Sequence, residues 1–181
     1  MATSIGGANY YITYVDDCTH YVDVFTLFTK TAAEIVERFK EKKAWVEARG
    51  YRIRRYPCDN GTGKYANSTF LTWLTASGVS FDPGPGYTQH KNGVLERMIQ
   101  MLNTKARCLL LDAQLPDEFW AEASKTAAYI HRRTVTTSLP EFKTPFEALY
   151  GTVPPLHHLR SFGCVVFRHI PKEQSKGKFA E

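Results

Sequence analysis

The chain has 181 residues, 43% of them hydrophobic and 23% charged, with a formal net charge of +5. That size and balance specify one folded domain with room for a small appendage, and they exclude disorder for most of the chain. The excess of positive charge leans toward a polyanionic partner such as nucleic acid. The four cysteines, Cys18, Cys58, Cys108 and Cys164, form no Cys-x-x-Cys pair. Zinc is therefore not indicated, and the thiols are expected to be reduced and buried in an intracellular protein. No signal peptide is evident, and no apolar run approaches the roughly 18 residues of a spanning helix, so no membrane association is expected.

The predicted elements alternate between strands and helices. Residues 10–15, YYITYV, are aromatic and β-branched and read as a strand. Residues 16–20 form a polar turn, and residues 22–28 return as a second, antiparallel strand. Thr31 and Glu34 have the spacing of a capping box, and Ile35, Val36, Phe39 and Val46 continue at helical spacing until Gly50. Residues 51–56 read as a third strand with Arg52 and Arg54 on one face, running into a turn at residues 57–61. A short helix over 68–76, stopped by Gly78, precedes a short strand over 79–81. Two prolines and two glycines mark residues 82–91 as a loop.

The remainder reads as helices. Asn92 opens a long helix to about Leu111, with Val94, Leu95, Met98, Leu102, Ala106 and Leu109 near one stripe. Pro116 and Asp117 start another over 118–132, with Phe119, Trp120, Ala123, Ala127 and Ile130 inward. Thr144-Pro145 begins a third, stopped by Gly151 after Tyr150. Pro154-Pro155 marks a boundary, after which residues 162–169 read as one strand and residues 171–181 as a polar tail. Strands early and helices late give an α/β layer.

Two carboxylates draw notice. Asp59, in Asp59-Asn60-Gly61, ends a predicted strand, where a carboxylate can face a cleft and hold a divalent cation, although the tripeptide by itself reads rather as a turn chosen for its backbone geometry. Glu96 falls in the first turn of the long predicted helix, a position that the helix dipole favours by itself. Residues 60–95 between them hold a helix, a strand and a loop, enough chain to return the helix start to the strand end. Clustered acids of this kind are what two-metal phosphoryl transfer needs.

Cys58-Asp59-Asn60-Gly61, followed by Tyr87-Thr88-Gln89-His90-Lys91-Asn92-Gly93-Val94-Leu95-Glu96-Arg97, resembles the second and third acidic motifs of copia-type retrotransposon integrases. The resemblance continues through Leu115-Pro116-Asp117-Glu118-Phe119-Trp120, Thr144-Pro145-Phe146-Glu147-Ala148-Leu149-Tyr150-Gly151 and His158-Leu159-Arg160-Ser161-Phe162-Gly163-Cys164, in order and over nearly the whole chain. It implies a ribonuclease H-like α/β fold, a mixed sheet flanked by helices, over residues 1–153. Residues 154–181 would be a linker and the first strand of an SH3-like domain. Asp59 and Glu96 would be the second and third acids of the catalytic and metal-binding set, holding two Mg2+ or Mn2+ ions for DNA 3′-end processing and strand transfer. Asn92 would be a helix cap and DNA contact, and Lys91, Arg97 and Lys105 would contact phosphates; a solvated helix face explains those three cations equally well. DNA, further copies of this chain, and a nuclear or virus-like-particle location follow from the same resemblance, with no small-molecule cofactor.

The resemblance also has gaps. The family's first acid belongs to a strand before the opening hairpin, in a histidine-x-aspartate-x-x-glycine-proline motif that this sequence does not contain, so the first strand is expected to be missing. Asp16-Asp17 looks like a substitute, but these residues are expected to cap the hairpin turn or pair with a basic residue. Lys64 stands where the family has a glutamate, and Leu95 replaces an alanine. The expectation is therefore an integrase core lacking one acid and inactive by itself, or a non-catalytic nucleic-acid-binding remnant. Another ribonuclease H-like nuclease would not explain the signatures after residue 115.

Overall fold

The computed structural model describes residues 2–58, 68–83 and 89–167. The first two strands form the expected hairpin. β1 (Tyr10–Val15) pairs antiparallel with β2 (Val22–Leu27), from Tyr10 opposite Leu27 to Val15 opposite Val22. Asp16 closes the turn between them. Its Oδ2 accepts from the backbone N–H and the hydroxyl of Thr19 at 2.9 and 2.6 Å, and its carbonyl accepts from the N–H of His20. The acid that could pass for a third metal ligand is thus a turn cap.

Helix α1 (Ala32–Glu47) starts at Thr31, whose hydroxyl accepts from Glu34 N–H. The return half of the capping box goes elsewhere. The Glu34 carboxylate accepts from the N–H groups of Phe28 and Thr29 at 2.7 and 2.8 Å and from the Thr29 hydroxyl, so it ties the end of β2 to the helix start. These bonds outweigh desolvation, which acts the other way, and hold the Glu34 carboxyl below the ordinary carboxylate range.

The second pair of strands is parallel. β3 (Arg55–Cys58) lies against β4 (Ser80–Pro83), with helix α2 (Ser68–Ala76) between them in sequence. This is the crossover that parallel strands require. The strand expected over 51–56 lies further on. Residues 51–54 are irregular, and Pro57 sits within the strand opposite Asp82. A proline is tolerated there because β3 has β4 as its single strand partner among the described residues, leaving an edge where a missing N–H costs nothing. The expected mixed sheet is thus two small sheets, β1-β2 and β3-β4.

Helix α3 (Gln89–Asp112) is longer than the sequence suggests, beginning three residues before Asn92. Its buried stripe is Met98, Leu102, Ala106 and Leu110 at four-residue spacing, whereas Val94 is 39% exposed. Against it packs helix α4 (Trp120–His131), entered through a single tight turn at Asp117–Phe119. Ala123 and Ala127 are fully buried, and such small side chains let two helices approach closely. The Trp120 indole donates to the carbonyl of Ala2, and Ile5 N–H donates to the carbonyl of Glu118, which fastens residues 2–8 onto this helix. Helix α5 (Pro145–Tyr150) follows its sequence signals. Thr144 caps it, accepting from Glu147 N–H at 3.0 Å, and Gly151 ends it in the left-handed conformation at φ 71°.

Two apolar clusters hold these elements together. One joins Val22 to α3 and α4. The other gathers Phe39 of α1, Tyr56 of β3, Phe70 and Leu74 of α2 and Val79, with Tyr14 of β1 packed against them. Tyr14 therefore connects the two sheets. A third connection is ionic: Asp23 of β2 pairs with Lys42 of α1 and, at 2.7 Å, with Arg132 just beyond α4.

Two expectations fail. Cys18, Cys108 and Cys164 are exposed, because they fall in the hairpin turn, on the outer face of α3 and in the segment after Gly163. Residues 162–167 form a turn and an irregular exposed segment, with Phe167 93% exposed; residues 168 and 169 lie outside the described residues. A lone strand has no ladder to join, and none forms. No helix among the described residues is long and apolar enough to cross a membrane.

Candidate functional site

Asp59 immediately follows the last residue of β3 and lies outside the described residues, as does Lys64. The carboxyl end of β3 lies beside the carboxyl end of β4. That is where open α/β sheets place their ligands. Glu96 is the eighth residue of α3 and exposed. The first-turn placement expected from the sequence is therefore wrong, and the helix dipole, which acts within the first turn, gives no account of this carboxylate. Asn92 lies inside α3, so it does not cap the helix. The side chains of Lys91 and Asn92 lie outside the described residues.

The described part of α3 separates the remaining candidates. At about 100° per residue, Gln100 and Asn103 share the face of Glu96, Arg97 stands about a quarter-turn away, and Lys105 is on the opposite side. The Glu96 face leads to the hairpin, since Tyr11 Oη of β1 donates to Asn103 Oδ1 at 2.7 Å. Glu96 makes no ion pair among the described residues. Arg97 is exposed, and its Nε donates to the Gly93 carbonyl at 3.1 Å. Lys105 is half-buried, and desolvation lowers its ammonium pKa.

Carboxylate oxygens suit a hard cation such as Mg2+ or Mn2+, and the donor chemistry of Asp59 and Glu96 fits one. Among the described residues no three His, Cys, Asp or Glu side chains gather into a metal-binding group.

Sequence reasoning passed over His131, which ends α4 and is 6% exposed. A lone histidine at a helix end carries no signal until its neighbours are known. Burial, then Lys105, His20 and Arg132, hold the imidazole down to about 4, against an ordinary value near 6.5. Between those values the unfolded chain binds the extra proton, so stability rises with pH from about 4 to about 6.5 and is fully present above that. Urea unfolding at pH 7 and pH 5 is expected to show a loss on acidification that His131→Asn reduces. Equal losses in the two proteins would contradict the assignment.

No family model matches the chain. It is 36% identical over 173 residues to the retrovirus-related Pol polyprotein from transposon TNT 1-94 of Nicotiana tabacum, covering 94% of this chain and 13% of the relative. It is 30% identical over 181 residues to the retrovirus-related Pol polyprotein from transposon RE2 of Arabidopsis thaliana, covering 96% of this chain and 12% of the relative. The chain thus spans about an eighth of these relatives' length. Among solved structures, the magnesium-bound HTLV-2 integrase catalytic core domain in its trimeric form superposes with a TM-score of 0.60 at 19% identity, over 77% of this chain and 84% of that one. The fold is therefore the ribonuclease H-like α/β fold of integrase cores.

Proposed function

The chain belongs to the Pol polyproteins of copia-type retrotransposons and has the fold of an integrase catalytic core, and from that premise we propose that it supplies two of the three acids of a DNA strand-transfer site. The likeness to retrotransposon Pol polyproteins and to an integrase core supports this reading, together with the positions of the two acids in the sequence. Asp59 follows β3 in sequence, and Glu96 is an exposed carboxylate with no ion pair among the described residues, on the helix whose Asn103 meets the hairpin. Asp59 and Glu96 hold Mg2+ or Mn2+. When bound, the metal supplies activation of a water or a DNA 3′-hydroxyl and stabilises the leaving oxygen. Lys91, Asn92 and Arg97 lie near Glu96 in sequence and fix the DNA backbone; Lys105, on the far side of α3, adds a more distant phosphate contact. The HTLV-2 integrase core is described in trimeric and dimeric forms, and this chain also works as an oligomer. Residues 154–181 are assigned to a linker and the start of an SH3-like domain, and the protein acts in the nucleus or a virus-like particle.

Asp16 is engaged in the turn through its bonds to Thr19, and we read the isolated chain, without Asp17 or a partner chain as a third acid, as unable to join DNA strands. The role left to it is DNA binding, and this favours the non-catalytic reading for the isolated protein. Binding to duplex DNA is expected to be weak and to fall steeply with salt, with log affinity against log salt dropping by about 0.9 per phosphate contact. Arg97→Ala is expected to reduce that slope by about one. Salt-independent binding, or strand-transfer product from the isolated chain in Mn2+, would contradict the proposal.

A further inference from the structure

A second recess lies away from the face of Glu96. It has a volume of about 310 Å3 and is lined by His20 of the hairpin turn, Val94, Arg97, Met98 and Met101 of α3, His131 of α4, and Thr136 and Ser138 beyond it. That volume is at the small end of the range of small-molecule sites, about 300 to 1,000 Å3. Its lining has two chemistries. Val94, Met98 and Met101 make an apolar wall, and thioether side chains adapt to flat or irregular guests. The rest are hydrogen-bonding groups, and among the described residues that line it none is a carboxylate.

Charge decides what fits. Arg97 stands at the recess, where among the described residues its Nε alone makes a hydrogen bond, and Lys105, with no ion pair among the described residues, acts on His131 from nearby. A cation entering here would be repelled, whereas an oxyanion would find a guanidinium fork, which recognises phosphoryl oxygens. The Nε2 atom of His131 is buried and makes no hydrogen bond among the described residues. Nearly all buried polar atoms in folded proteins have a partner, so an exception at the lining of a recess needs an explanation. A guest oxygen pressed against the imidazole would provide one.

We propose that this recess binds a phosphoryl group carried on a flat apolar body, the chemistry of a nucleoside monophosphate. Arg97 and the Ser138 hydroxyl hold the phosphoryl oxygens, His131 forms the floor, and Met98 and Met101 receive the base. The source is either a free nucleotide or the phosphorylated end of a DNA strand. The assignment rests on the reading of Arg97 as a phosphate contact and narrows it to one pocket.

The test is a titration of the whole chain with deoxyadenosine monophosphate, followed by the imidazole NMR signals of His131 and His20. Both signals are expected to shift saturably, inorganic phosphate to compete, and Arg97→Ala and His131→Phe each to weaken binding at least tenfold. Because the Arg97 side chain is exposed, Arg97→Ala keeps the test valid should His131→Phe fail to fold. A short oligonucleotide with a 5′-phosphate that competes better than its unphosphorylated form assigns the pocket to strand ends. Equal weak competition by both assigns it to free nucleotides. Unshifted histidine signals, or unchanged nucleotide affinity in Arg97→Ala, would overturn the proposal. If the same Arg97→Ala protein then showed a reduced salt slope on duplex DNA, the pocket would fail while the DNA-binding reading stood. An unchanged salt slope with lost nucleotide binding would support the pocket and remove Arg97 from the duplex contacts.

Discussion

Asp23→Ala is expected to remove about 3–5 kcal/mol of stability, the cost of breaking a buried ion pair on one side. The carboxylate is 16% exposed and lies between Lys42, 12% exposed, and Arg132, 16% exposed. The two cations come from different elements, so their loss of a partner loosens α1 and the end of α4 from β2 together. Both are also engaged with aromatic rings: Lys42 lies over Trp45 at 4.2 Å, and Arg132 over Tyr21 at 5.1 Å. Those contacts hold the cations in place after Asp23 is gone, where they remain desolvated and unpaired. The total stability of a domain is about 5–15 kcal/mol, so the variant should sit near the edge of folding. Urea unfolding followed by circular dichroism measures the loss. A change below about 1 kcal/mol, the range of exposed pairs, would show that water reaches these charges freely.

Phe39→Ala is expected to cost about 3–5 kcal/mol, because it opens a cavity in the middle of the aromatic cluster. Phe39 is 1% exposed, and its ring meets Tyr56 at 4.6 Å, Tyr14 and Trp73 at 5.9 Å and Phe70 at 6.0 Å. These rings come from both sheets, α1 and α2, so no single element can collapse into the gap. Tyr14→Phe in the same cluster is the contrasting control. The Tyr14 hydroxyl is buried with no hydrogen-bond partner among the described residues, and burial pushes its pKa far above the ordinary range. Removing it relieves a desolvated group and is expected to leave stability unchanged or higher. Similar losses in both variants would mean that the hydroxyl is satisfied and that the cluster is not tightly packed around Phe39.

What the sequence made legible was local. The hairpin follows from alternating β-branched and aromatic residues around a short polar turn, and α5 from Thr144, Pro145 and Gly151, whose chemistry acts over a few residues. The start of α3 is not at Asn92, which reads in the sequence as the opening of the helix, but three residues earlier. The division into two sheets was not legible, since strand pairing is a long-range property. The same holds for Asp23, whose partners lie 19 and 109 residues away in sequence. His131 escapes a sequence reading because its surroundings, and not its spacing, make it unusual. Asp59 and Glu96 stand out by resemblance, since their strand and helix contexts alone favour a turn residue and a carboxylate placed for its helix.

If Asp59 and Glu96 share a divalent cation, both must be present for it to bind. Calorimetric titration of Mn2+ into the intact chain, Asp59→Asn and Glu96→Gln tests this directly. Weak, saturable binding to the unaltered protein and none to either variant is the expected result. Unchanged Mn2+ affinity in Asp59→Asn or in Glu96→Gln would contradict a shared site.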